Sequence, residues 1–157
     1  ANNQTDADLK EVLQQLQAPS SQQLMGLLAV FQAGTVLVGL FVARWWQAML
    51  FNPGGFRQEI HSLRLSRIQV LILVGCFVGF IGNEVYSVWG WVFALPLVVA
   101  GIALVHGVVG IVKTTSRWLI LFYAVLVFVR PALGILVALA VMDSALDFRS
   151  RLQHRLQ

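Results

Sequence analysis

An all-α membrane protein is the fold class this sequence predicts: a bundle of about five transmembrane helices with interfacial amphipathic helices beside them. Three observations lead there. Of 157 residues, 58% are hydrophobic and 11% charged, against about 25% charged in an ordinary soluble domain. Mean hydropathy is +0.77, more apolar surface than a soluble fold of this size can hide. Finally, the lysines and arginines are confined to short segments between apolar runs, which is the pattern that orients a chain in a bilayer and not that of a nucleic-acid face. The expected surroundings are therefore the lipid bilayer and other membrane subunits, with no nucleic acid. The single cysteine, Cys76, lies inside an apolar run, so it offers no intrachain disulfide and packs as a small hydrophobe.

The chain divides into a polar amphipathic segment (residues 1–20), a transmembrane helical domain (21–148) and a basic tail (149–157). In the first segment Leu9, Val12, Leu13 and Leu16 share one face of a short helix over Asp6–Gln17, capped by Asp6 or Asp8 and ended by Pro19-Ser20. The chain opens on Ala1 with no secretory signal pattern, so it is expected to be the C-terminal part of a longer protein. A first span is predicted over Leu24–Ala43, with Ala29, Ala33 and Gly34 small enough to admit a neighbouring helix. Arg44 is expected to stop it, and Trp45 and Trp46 fall where an aromatic belt belongs.

The longest polar interruption follows, Arg44–Arg67, with four of the eleven basic residues. Asn52-Pro53-Gly54-Gly55 is turn chemistry: proline fixes φ and glycine permits φ above zero. Beyond it Phe56, Ile60 and Leu63 share one helical face, with Arg57, Glu59, His61 and Arg64 on the others. Such a helix has two readings. One is an interfacial helix on anionic lipid; the other is a docking element of Asn52, Pro53, Gly54, Gly55, Phe56, Arg57, Ile60 and Arg64 offered to a partner protein.

The second span is predicted over Ile68–Asn83, where Gly75 and Gly79 form GxxxG and Gly82 extends the groove. A connector without Lys or Arg, Glu84–Ser87, leads to the third span, Val88–Val112, which contains Pro96 and His106. After Lys113 and Arg117 comes an apolar run broken at Arg130-Pro131. Read as one span it would hold Arg130 near mid-membrane at a cost of about 2.5–3.5 kcal/mol. Read as two short helices, Thr114–Val129 and Pro131–Leu146, it returns the tail to the side of the other basic loops, and the residue before a proline disfavours helix. We take the hairpin, with Gly134 and Ala138 as a second small-residue groove. Counting Lys and Arg then puts Arg44–Arg67, Lys113–Arg117 and the C-terminus in the cytoplasm of a multi-pass inner-membrane protein.

Few residues suggest chemistry. Arg130 either binds an anionic ligand or pairs with Glu84, or else snorkels and pins its turn at the interface. His106 is either a ligand or proton-relay residue or a histidine hydrogen-bonded between helices. Asp143 is placed to pair with Arg149 or Lys113, though for Glu84, Asp143 and Asp147 alike a solvated helix end is the plainer expectation. No spacing brings His61, His106 or His154 together on one helix face, so no metal is expected. No nucleophile, acid and base converge either, and neither an enzyme nor a cofactor is expected.

Three stretches resemble, as a set, the C-terminal half of the YybS-like family of bacterial polytopic membrane proteins in its proteobacterial form: ARWWQAMLFNPGGFRQEIHSLRL (Ala43–Leu65), GIALVHGVV (Gly101–Val109) and MDSALDFRSRL (Met142–Leu152). Its full-length members have further spans before the point where this chain begins. The family is grouped with the substrate-binding S-components of energy-coupling-factor vitamin transporters. That grouping implies a transport-related, small-solute-binding role, with Arg130, His106 and Glu84 as candidate ligand contacts. The alternative is a non-catalytic accessory or scaffold subunit of a larger membrane complex.

Overall fold

The computed structural model describes residues 19–112, 117–129, 131–149 and 151–152. The helix expected over Asp6–Gln17, together with Lys113, Arg130, His154 and Arg155, lies outside them. The described residues form six helices: α1 (Ser21–Phe51), α2 (Gly55–Ser62), α3 (Arg67–Ile81), α4 (Ser87–Val112), α5 (Arg117–Phe128) and α6 (Ala132–Leu146).

α1 and α3 start alike, because Ser-x-x-Gln supplies a reciprocal cap. Ser20 Oγ accepts from the Gln23 N–H while Gln23 Oε1 accepts from the Ser20 N–H, and Ser66 and Gln69 repeat the arrangement. Each box satisfies donors that a helix start leaves bare. Gln23 also donates to the Glu84 carbonyl at 3.3 Å, and Trp89 Nε1 donates to the Gln22 carbonyl at 3.1 Å. The start of α1 is thereby fastened beside the start of α4.

α1 runs eight residues past its predicted end. A charge does not stop a helix whose backbone bonds remain available, and the guanidinium of Arg44 leaves the helix sideways to form a two-pronged ion pair with Glu59 of α2. The stop is the Asn52–Gly54 turn: Gly54 has φ +90°, a left-handed conformation that glycine adopts without penalty.

α4 is the hub, packing on α3, α6, α1 and α2. Its buried positions (Gly90, Ala94, Leu97, Ala100, Gly101, Ala103, Leu104 and Gly107) are mostly small, which lets backbones approach closely. A Cβ on Gly101 would lie 2.6 Å from the Leu136 carbonyl oxygen of α6, and one on Gly90 would lie 3.2 Å from the Phe77 carbonyl of α3. The expected grooves are not the ones the chain uses: nothing lies within 4 Å of a Cβ placed on Gly75, Gly79 or Gly134, and Gly82 meets only the Val78 carbonyl of its own helix at 3.8 Å. Ala138 is exposed. The inward face of α3 is set by Val70 and Phe77 instead.

Two helices, α1 and α4, are each long and apolar enough to cross a membrane. The pairs α2–α3 and α5–α6 are bent by 70° and 120° at their breaks, which makes up to four crossings if each bent pair counts as one. Leu28, Phe31, Ile68, Leu71, Ile120 and Val127 are all exposed, a surface that needs an apolar surrounding.

Candidate functional site

α2 places its apolar face against α1 and α4, and this creates a hollow that carries polar side chains. Phe56 meets Phe41 edge-on, with ring centroids 6.3 Å apart. A half-open cavity of about 380 Å³ is walled by Gly34, Leu37, Val38 and Phe41 of α1, by Phe56, Ile60 and Leu63, by Leu95, Val99, Ile102, Ala103 and His106 of α4, and by Tyr123 of α5. A neighbouring hollow of about 250 Å³ shares Leu37, Phe41, Phe56, Ile60 and Leu63, and the Arg44–Glu59 pair rims it.

His106 Nδ1 lies 3.0 Å from the Ile102 carbonyl. A carbonyl only accepts, so Nδ1 carries the hydrogen and Nε2 is left as an acceptor. Tyr123 Oη stands 3.4 Å from that Nε2, with ring centroids 5.9 Å apart. Nothing in the spacing pointed to Tyr123, which sits seventeen positions from His106 on another helix.

At the basic end, arginines strap α2, the loop after it and the start of α3 to the end of α6. Arg149 donates to the His61 carbonyl and, at 2.9 Å, to the Leu63 carbonyl, and it pairs with Asp143 at 3.5 Å. Asp143 is 3% exposed and also accepts from the Phe148 N–H at 3.1 Å. Arg64 donates to the Ser144 carbonyl and pairs with Asp147 at 2.7 Å; Arg67 donates to the Ala145 carbonyl at 3.0 Å. Three guanidinium groups thus converge on the C-terminal end of α6, where bare carbonyls favour cations.

Asp143 pairs with Arg149, one of the two partners expected for it, and its burial corrects the plainer expectation of a solvated helix end. On α2, Phe56 and Ile60 line the hollow between α1 and α4, while Arg64 is exposed and pairs with Asp147. Asn52, Pro53, Gly54 and Arg57 remain exposed, while Gly55 is buried, and a Cβ there would run into the Asn52 side chain. Glu84 is exposed and contributes its carbonyl to Gln23; the structure does not bring it to the groove.

His61, on α2, presses its ring against Gly110. Burial, and then the nearby Arg57, His106 and Arg149, hold its pKa below the ordinary value of 6.5. The fold therefore keeps the neutral form, and the unfolded chain takes up the proton first as pH falls. Its stabilising contribution is complete above about pH 7.5 and is lost as pH drops below about 6.5. Wild-type Tm should fall more between pH 7.5 and 5.5 than that of His61→Gln; equal slopes would show that His61 is not the responsible group.

The chain matches no model of a protein family, no curated protein and no solved structure.

Proposed function

We propose that this chain is the helical bundle of a bacterial inner-membrane protein that binds a small solute between its helices, a transport-related component similar to S-components. The observation that carries this is the half-open hollow beside α4, which places a hydrogen-bonding His106–Tyr123 pair within otherwise apolar walls. Ligand pockets commonly have that composition: mostly apolar, with a few placed polar groups. The resemblance to the YybS-like family points the same way.

In this reading α1, α3, α4, α5 and α6 are the five membrane helices and α2 lies at the interface. α3 and α6 have 15 residues and α5 has 12, about 22 and 18 Å at 1.5 Å per residue. The α5–α6 pair is thus a hairpin of short arms, a length that burial among other helices or local thinning of the bilayer accommodates. Its support is the Arg149 strap, which sets the end of α6 beside the loop between α2 and α3. The shared basic end is cytoplasmic by its arginine content. A label placed after Leu152 should be reached only from the cytoplasmic side of sealed vesicles.

Protein purified from its native membrane should carry a small molecule detectable by native mass spectrometry. Gly34→Leu, which adds volume to the groove wall where no atom lies within 4 Å, should remove it while leaving the fold intact. Identical spectra for the two proteins would refute the binding role.

A second reading, an accessory subunit of a larger complex, is favoured by the open faces at Gly75, Gly79 and Gly134, which would suit partner helices. Gly75→Leu should then reduce co-purification with that complex without changing the Tm of the isolated chain.

A further inference from the structure

We infer that the groove takes an electrically neutral, lipid-soluble molecule bearing a hydroxyl or carbonyl oxygen, a polyprenyl alcohol or a quinone, with that oxygen held by His106 and Tyr123. The inference rests on the groove being a binding site, and it specifies the ligand's chemistry.

Among the described residues, no Lys, Arg, Asp or Glu lines the groove. A carboxylate or phosphate placed there would lose its hydration with no counter-ion to compensate, which strongly disfavours charged ligands. The charged pair nearest the groove walls, Arg44–Glu59, rims the adjoining hollow and is committed to itself. The groove instead presents one ring-nitrogen acceptor, Nε2 of His106, and one phenol, Tyr123, that both donates and accepts. Their mutual contact at 3.4 Å is long for a hydrogen bond, so it is readily exchanged for a better partner. A ligand hydroxyl donates to Nε2 and accepts from the phenol; a ligand carbonyl accepts from the phenol. The apolar remainder, from Gly34 and Val38 across to Val99, houses a hydrocarbon tail. A phospholipid acyl chain would use those walls alone.

The test uses the full chain in phosphatidylcholine nanodiscs, with farnesol, decylbenzoquinone and farnesyl phosphate as probes read by quenching of tryptophan fluorescence. At least one neutral probe should bind saturably, and farnesyl phosphate about tenfold or more weakly. Losing one hydrogen bond should weaken the neutral probe about three- to tenfold. Tyr123→Phe removes the donor a carbonyl needs and should act mainly on the quinone. His106→Phe removes the acceptor a hydroxyl needs and should act mainly on the alcohol. Gly34→Leu should abolish binding of all three probes. If the phosphate binds as tightly as the alcohol, or if neither His106→Phe nor Tyr123→Phe changes affinity while Gly34→Leu does, the oxygen-recognition inference falls and an acyl-chain slot remains. If Gly34→Leu binds every probe as the wild type does, the groove itself is not the site.

Discussion

Asp143→Ala is expected to cost the fold about 3 kcal/mol, the low end of what removing one partner of a buried ion pair costs. Asp143 is 3% and Arg149 9% exposed, so truncating the carboxylate strands a guanidinium away from water. The low end applies because Arg149 keeps its bonds to the His61 and Leu63 carbonyls. At about 2–4 °C per kcal/mol for a chain of this size, Tm in detergent should fall by about 6–12 °C. Asp143→Asn, which keeps the volume and an acceptor for the Phe148 N–H, should fall by less. The double change Asp143→Leu with Arg149→Met should recover much of the loss, because apolar replacement of a buried pair is often neutral or stabilising. An unchanged Tm for Asp143→Ala would mean the pair contributes nothing.

Gly101→Val should have an effect of similar size by a different route. A Cβ on Gly101 would sit 2.6 Å from both the carbonyl oxygen and the Cγ of Leu136, and a backbone oxygen cannot swing aside as a side-chain tip can. α6 must move off α4, at about 2–3 kcal/mol for overpacking a close-packed contact. Because α6 carries Asp143 and abuts Arg149, the displacement should also loosen the strap on α2 and expose Arg149 to glyoxal reagents. Gly79→Val is the control: with nothing within 4 Å, it should shift Tm by no more than about 1 °C in the isolated chain. If the two variants behave alike, α4 and α6 do not meet at Gly101.

The helical class and most of the helices were legible because apolar runs and turn residues act locally. Asn52–Gly54 ends α1 and the break beside Pro131 divides α5 from α6, each by chemistry within a few residues. What was not legible depends on which way a helix faces. GxxxG marks Gly75 and Gly79 as small residues on a shared face, but the face α3 turns inward carries Val70 and Phe77. The tight contacts fall on the small residues of α4, which no short motif announces. Arg44 read as a terminator because charge ends an apolar run, whereas its guanidinium only needed Glu59 fifteen residues later. Of the candidate ligand contacts, His106 lies in the groove, Glu84 lies elsewhere and Arg130 is outside the described residues. Asp143 was expected to pair with Arg149 or Lys113, and Arg149 is its partner; the burial of that pair was not legible, because it accompanies the left-handed turn at Asp147 (φ 52°).

The arginine strap also has a consequence for biogenesis. Its acceptors at His61 and Leu63 are supplied with a donor 88 and 86 residues further along. During synthesis α1 to α4 all leave the ribosome before that donor does. Until it does, two carbonyls at the end of α2 go unserved and the wall formed by Phe56 and Ile60 is held mainly by its own apolar contacts. Translation stalled before Arg149 therefore leaves a nascent protein whose α2 lacks the late-arriving clamp that holds it in the finished chain.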